Sequence, residues 1–275
     1  VNQEASSEKS TGSPKWATEP FHRFLDQSER LGHVVQLSVR GIFGLQGIPI
    51  IFELLAERGV KVDTDEHKQQ QRLAMAQKDV DLAQREIDSD FPIVYANAMV
   101  ALWSFLESMI RATLVAWLKN DPSAWQADAI AKLRVRLGEY ERLAQDERYY
   151  YVAEILESET AAGLRNGVER FEVILKPFGL DGSVPGRLRQ DMFEFGQVRN
   201  AIVHRGGHAD RKLTGSCPWL NFKVGDELPI RREHFDRYSN AAHYYVLLLL
   251  CRVIEHFDKD VPEQRQAVFA KYGAD

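Results

Sequence analysis

An arginine and a histidine five positions apart close the segment Gln197-Val198-Arg199-Asn200-Ala201-Ile202-Val203-His204-Arg205-Gly206-Gly207. These residue types suit phosphodiester chemistry. A guanidinium fork grips two non-bridging phosphate oxygens and stabilises charge that builds in the transition state. Histidine titrates near neutral pH, so His204 can move a proton to or from a ribose hydroxyl or a leaving oxygen. With RNA the 2′-hydroxyl is an internal nucleophile, and no metal is obligatory. On an ideal helix, five residues turn through about 500°, which leaves Arg199 and His204 about 140° apart around the axis. They meet only through the long arginine side chain, through distortion of the last turn, or across a two-fold axis. Asn200 and His204, at i and i+4, are direct neighbours, so Asn200 joins them as a candidate catalytic residue. Arg187, Arg189, Arg199, Arg205, Arg211 and Lys212 stand against Asp191, Glu194 and Asp210, a local positive balance on a chain of net charge −5. Arg205, His208 and Arg211 are therefore candidate nucleic-acid contacts. The same residues also fit a plainer role, because arginine and histidine are common in the last turn of a helix, where they meet the dipole and the free carbonyls.

Glu107 is the fourth catalytic candidate. A carboxylate in so apolar a stretch needs a partner. Arg111 at i+4 is the local one, and Arg199 or His204 is the alternative that would place Glu107 in the site. His204 and His208 have metal-ligand spacing, but Gly206-Gly207 break the helix between them and no Cys-x-x-Cys accompanies Cys217, so neither metal nor cofactor is expected. Tyr149-Tyr150-Tyr151 suits helix packing and, alternatively, the stacking of bases. Gly41, Gly44 and Gly47 invite a phosphate-loop reading, yet no Gly-Lys-Ser/Thr follows, and close helix packing or a turn ending at Pro49 is the simpler role.

The elements that must carry these residues are mostly helical. Residues 187–204 have Leu188, Met192, Phe195 and Ile202 at helical spacing, with a stop at Gly206-Gly207. Helices are also expected over 50–58, 64–90, 92–118, 124–140, 148–159, 160–177 and 233–257. In 64–90, Leu73, Ala76, Val80, Ala83 and Ile87 form one narrow apolar seam. Ser89 or Asp90 would cap the helix that starts at Pro92. The one strand signal is 219–224 and 228–230 flanking Gly225-Asp226-Glu227, a small hairpin. Residues 1–18 read as a disordered tail, 19–90 as an N-terminal helical extension and 91–275 as the main helical domain.

The composition is that of a globular protein, with 44% hydrophobic and 27% charged residues among 275, which excludes a wholly disordered or collagen-like chain. Two cysteines make no disulfide framework, in keeping with a cytoplasmic protein. Residues 94–118 and 244–251 are apolar, but the first carries Glu107, Arg111 and several polar side chains and the second is too short to span a bilayer. Both are expected as buried helices, with no membrane role.

The segment 199–204 resembles the signature of the HEPN superfamily: arginine, four to six residues, then histidine, near the end of a core helix. Three further stretches look alike. Residues 98–118, centred on Leu106-Glu107-Ser108-Met109-Ile110-Arg111, resemble the first core helix. Residues 223–230 resemble the short hairpin found after the motif in several groups, and 233–257 the closing helix. The likeness covers about residues 91–258. It implies an all-α, HEPN-like bundle with a small β-hairpin insertion. It also implies a homodimer whose paired motifs share a cleft, and metal-independent endoribonuclease activity in toxin–antitoxin, antiviral or stress systems. RNA, and a protein antitoxin or other protein, would be the partners. In this reading Arg199 polarises the phosphate and His204 serves in proton transfer. The alternative is a non-catalytic HEPN module that dimerises and binds a nucleotide, nucleic acid or protein. One toxin group carries a modifiable tyrosine two residues after the histidine; here that position is Gly206.

Overall fold

Helical spacing of apolar side chains becomes helix through most of the chain. A computed structural model describes residues 13–60, 65–161, 167–258 and 263–272. Their helices, in order, are α1 (Lys15–Leu45), α2 (Ile48–Glu57), α3 (Glu66–Asp88), α4 (Pro92–Asn120), α5 (Asp128–Ala131), α6 (Leu137–Tyr140), α7 (Gln145–Ala161), α8 (Val168–Leu175), α9 (Gly186–Arg205), α10 (Arg211–Ser216), α11 (Arg232–Asp258) and α12 (Glu263–Tyr272). The fold class is all-α. The expected tail falls outside the described residues as far as residue 12, and α1 already begins at Lys15.

The chain forms two compact units, each gathered from separated segments. The first comprises Val1–Asp26, Trp103–Gln197 and Asn240–Asp275. Its core collects Phe21 and Phe24 of α1, Leu106, Ile110, Leu114 and Trp117 of α4, Leu188, Met192 and Phe195 of α9, and Tyr245, Leu249 and Val253 of α11, all buried. Trp103 sits edge-on to Phe195 at 5.0 Å between ring centroids. Trp16 meets Trp117 at 5.0 Å and Phe257 at 5.7 Å. A buried ion pair crosses this core. Arg252, with 6% of its side chain exposed, donates to Glu172 at 2.9 Å and to the carbonyls of Leu180 and Ser183. Glu172 also accepts from the Tyr245 hydroxyl and the Gly182 N–H.

The second unit comprises Gln27–Leu102 and Val198–Ser239. Asp65 caps α3 by accepting the N–H groups of His67 and Lys68, which satisfies donors that have no partner inside the helix. The apolar seam of α3 is partly covered, most fully at Ala83. Asp90 caps a different helix from the one expected. Its carboxylate accepts the N–H of Arg232 at the start of α11, and the Ser89 hydroxyl turns back to the Arg85 carbonyl. Gly41 and Gly44 lie within α1, and an added Cβ at either would meet nothing within 4 Å. They therefore serve neither a phosphate loop nor close helix packing. From Gln36 to Leu82 no described residue is buried, and Val34, Leu37, Ile50 and Ile51 stand more than half exposed. Two stretches, Lys15–Glu57 and Pro92–Asn120, are long and apolar enough by length and composition to cross a membrane, each holding an 18-residue window of mean hydropathy 1.5.

Three expectations change. The segment 124–140 is not one helix: a 3-10 turn over Pro122–Gln126 is followed by α5 and α6, because Ala127 and Arg136 take extended backbone angles. Residues 162–166, inside the helix expected over 160–177, fall outside the described residues, and α8 starts after Gly167. The hairpin of 219–224 with 228–230 is absent, and no strand forms among the described residues. Pro218 has no N–H to give to a ladder, and Pro218–Leu220 form a 3-10 turn that ends at Asn221 in the left-handed region. The one antiparallel bridge pairs His208 with Glu227.

Candidate functional site

The final turns of α9 present Arg199, Asn200, His204 and Arg205 within the second unit. Val198 and Ala201 are buried and hold this end of the helix, while Arg199 and Asn200 are half-buried and His204 is exposed. The helix remains α-helical to Arg205, so distortion of the last turn does not bring Arg199 and His204 together. Along a regular helix their Cα atoms are about 7.5 Å apart in axial rise.

Arg199 and Asn200 do meet: Nη1 of the arginine donates to the Asn200 side-chain oxygen at 3.1 Å. The amide oxygen of Asn200 fixes one edge of the guanidinium.

The helix end is closed firmly. Gly206 and Gly207 take φ of 59° and 82°, and the Gly207 N–H returns to the Ala201 carbonyl at 3.2 Å. This bond spans one residue more than the six-to-one bond of a Schellman terminus, and two successive residues in the left-handed region make room for it, a geometry that favours glycine. The chain then forms a small clip. The Gly207 carbonyl accepts the Leu228 N–H, and the Ala209 N–H donates to Asp226 while its carbonyl accepts from Gly225, each at 2.8 Å. His204 is thus set in the last turn of a helix whose end cannot fray freely.

The three candidate nucleic-acid contacts differ in how far they are committed. Arg205 pairs with Asp210, Nε to Oδ2 at 3.2 Å. The Asp210 carboxyl lies below its ordinary range, first because the Leu213 N–H donates to it at the start of α10 and then because Arg205 is beside it. His208 places Nδ1 3.1 Å from the Gly206 carbonyl. A carbonyl only accepts, so Nδ1 carries the proton and Nε2 is the acceptor in the neutral ring. Arg211, the first residue of α10, is exposed.

Glu107 belongs to the first unit, where its carboxylate lies 3.8 Å from Arg170. Arg111, the expected local partner, holds Glu157 with two bonds of 3.0 and 2.7 Å. The two-pronged partner of Arg111 is thus a carboxylate on another helix, and Glu107 at i−4 adds its charge to the field that holds the guanidinium protonated.

Among the described residues no group of three or more His, Cys, Asp and Glu side chains could hold a metal ion. Cys217 is buried, and burial pushes its thiol pKa up. The sequence reading saw only part of a further concave region in the first unit. Of its aromatic wall it singled out Tyr149 and Tyr150, whereas Trp16, Trp125 and Tyr140 are too far from them in sequence to give a local signal. Comparison with protein-family models, curated proteins and solved structures gives no match to this chain.

Proposed function

We propose that the protein is a metal-independent endoribonuclease of HEPN type, working in the cytoplasm as a homodimer in a defence, stress or toxin–antitoxin setting. The observation that carries this reading is the end of α9, where an arginine steadied by Asn200 and a solvent-facing His204 share one rigidly terminated helix. In the proposed reaction the ribose 2′-oxygen attacks phosphorus and the P–O5′ bond breaks. The products are a 2′,3′-cyclic phosphate and a 5′-hydroxyl. Arg199 stabilises the extra negative charge on the non-bridging oxygens, and His204 takes the 2′ proton or delivers one to the leaving oxygen. The axial separation of Arg199 and His204 favours a cleft completed by the motif of a second copy.

The bond between Arg199 and Asn200, with the partial burial of both, also supports a second reading. It gives the guanidinium an acceptor within the chain, as a non-catalytic HEPN module would need.

Incubating the purified protein with single-stranded RNA in EDTA separates the two. The enzyme reading expects cleavage with cyclic-phosphate ends, lost in His204→Ala with little change in thermal midpoint, because the side chain is exposed. Arg199→Lys keeps the charge but not the planar fork, so cleavage falls steeply while RNA binding drops only modestly. Intact RNA with the parent protein selects the binding module.

A further inference from the structure

Two concave spaces in the first unit, of about 370 and 470 Å³, share one wall, Tyr149. Trp16 and Tyr150 line the first and Trp125 and Tyr140 the second, so with Tyr149 five aromatic rings border these spaces, Trp16 being packed on Trp117 and Phe257 as well. Trp125 is 37% exposed and Tyr150 47%.

These rings are held in place. The Trp125 indole N–H donates to the Leu118 carbonyl at 2.8 Å, and its ring centroid is 6.2 Å from that of Tyr149. Arg148 lies over the Tyr140 ring at 4.9 Å, with its guanidinium bonded to the carbonyls of Leu143 and Glu141. Those acceptors are neutral, so they orient the cation without cancelling it. In the first space Lys119 pairs with Asp146 at 2.7 Å and Arg23 with Glu19 at 3.1 Å. The two charge pairs leave its lining near neutral.

We infer that this doubled aromatic groove binds the unpaired bases of single-stranded RNA, by stacking on Tyr149 and its flanking rings, with Arg148 beside the backbone. The inference rests on the reading of the chain as an RNA-acting protein, and it adds a binding site to the end of α9. Stacking is available to every base and needs fixed, accessible π-faces; the part-exposed rings of Trp125 and Tyr150 beside Tyr149 supply them. A charge-driven surface would have unpaired lysines and arginines. Here Lys119 and Arg23 are paired and Arg148 is left for the backbone, which predicts that affinity depends little on salt, with a log–log slope of about −0.7 for each phosphate contacted.

The test is anisotropy titration of the full chain with a fluorescent 2′-O-methyl RNA dodecamer, which binds as single-stranded RNA but lacks the nucleophile for cleavage. Tyr149→Ala and Trp125→Ala are each expected to weaken binding about tenfold or more, and Tyr149→Phe to retain it, since the face matters and the hydroxyl does not. A duplex of the same composition should bind far more weakly, because its bases are already stacked. Parental affinity in Tyr149→Ala, Trp125→Ala and Tyr150→Ala, equal affinity for the duplex, or no RNA binding at all would each overturn the inference. Cleavage of ordinary RNA, measured alongside, separates the two readings. Cleavage by a parent whose binding ignores all three substitutions removes the groove and keeps the nuclease. Groove-dependent binding without cleavage removes the nuclease and keeps the groove.

Discussion

At the level of single residues, the ion pair most fully withdrawn from water among those described belongs to the first unit. Arg252 and Glu172 are largely withdrawn from water, with side-chain exposures of 6% and 16%. Every visible prong is matched, by a carboxylate, two carbonyls, a phenol and an amide. Glu172→Ala would strand a buried guanidinium, and urea unfolding should show a loss of about 3–5 kcal/mol. No sequence pattern marks this pair, because its members are 80 residues apart. The Arg199–Asn200 bond was not legible either, since consecutive helix residues point about 100° apart and the spacing favoured His204 as the neighbour of Asn200. A second residue-scale effect concerns alkaline pH. Burial, and after it the Asp191 carboxylate, push the Tyr272 hydroxyl up to about 12 from 10.0. The folded state thus holds this proton more tightly than the unfolded state. Its contribution is fully present below pH 10 and is lost as pH rises towards 12. Tyr272→Phe should flatten that part of the stability profile, as followed by denaturant unfolding at several alkaline pH values.

Elements were legible where one period persisted. In α9, Leu188, Met192 and Phe195 are buried as their helical spacing marks, while Ile202 near its end is only half-buried. Short elements were not, since their geometry follows from contacts made elsewhere. The piecewise 122–140 stretch, the clip that replaces the hairpin, and α12 all belong to this class. Glycines at element ends separate backbone need from space. Gly167 and Gly206 have similar φ, 62° and 59°, but an added Cβ at Gly167 comes within 2.8 Å of the Phe193 backbone, whereas at Gly206 it meets nothing within 4 Å. Gly206→Ala should therefore cost about 1–2 kcal/mol, the price of a left-handed alanine. Gly167→Ala should exceed that clearly in the same denaturation assay, because backbone must also move.

For the whole molecule, the distribution of apolar surface is uneven. The stretch from Gln36 to Leu82 buries no described residue, while α4, of similar apolar character, supplies much of the core. Leu37→Gln and Ile51→Gln, at side chains 65% and 56% exposed, should leave stability within about 0.5 kcal/mol and lower the fluorescence of a bound apolar dye. Composition could not foretell this contrast, since it records how apolar a helix is but not what lies against it. The first unit has one further consequence, in the order of synthesis. Ser13 reaches Asp258 across 245 residues of chain, and Trp16 packs on Phe257. A ribosome adding about 5–20 residues per second takes tens of seconds to make that partner after α1 has emerged. Throughout that time Phe21 and Phe24 lack the α11 side chains that complete their core. A nascent chain halted before α11 therefore holds α1 without the helix that completes its core.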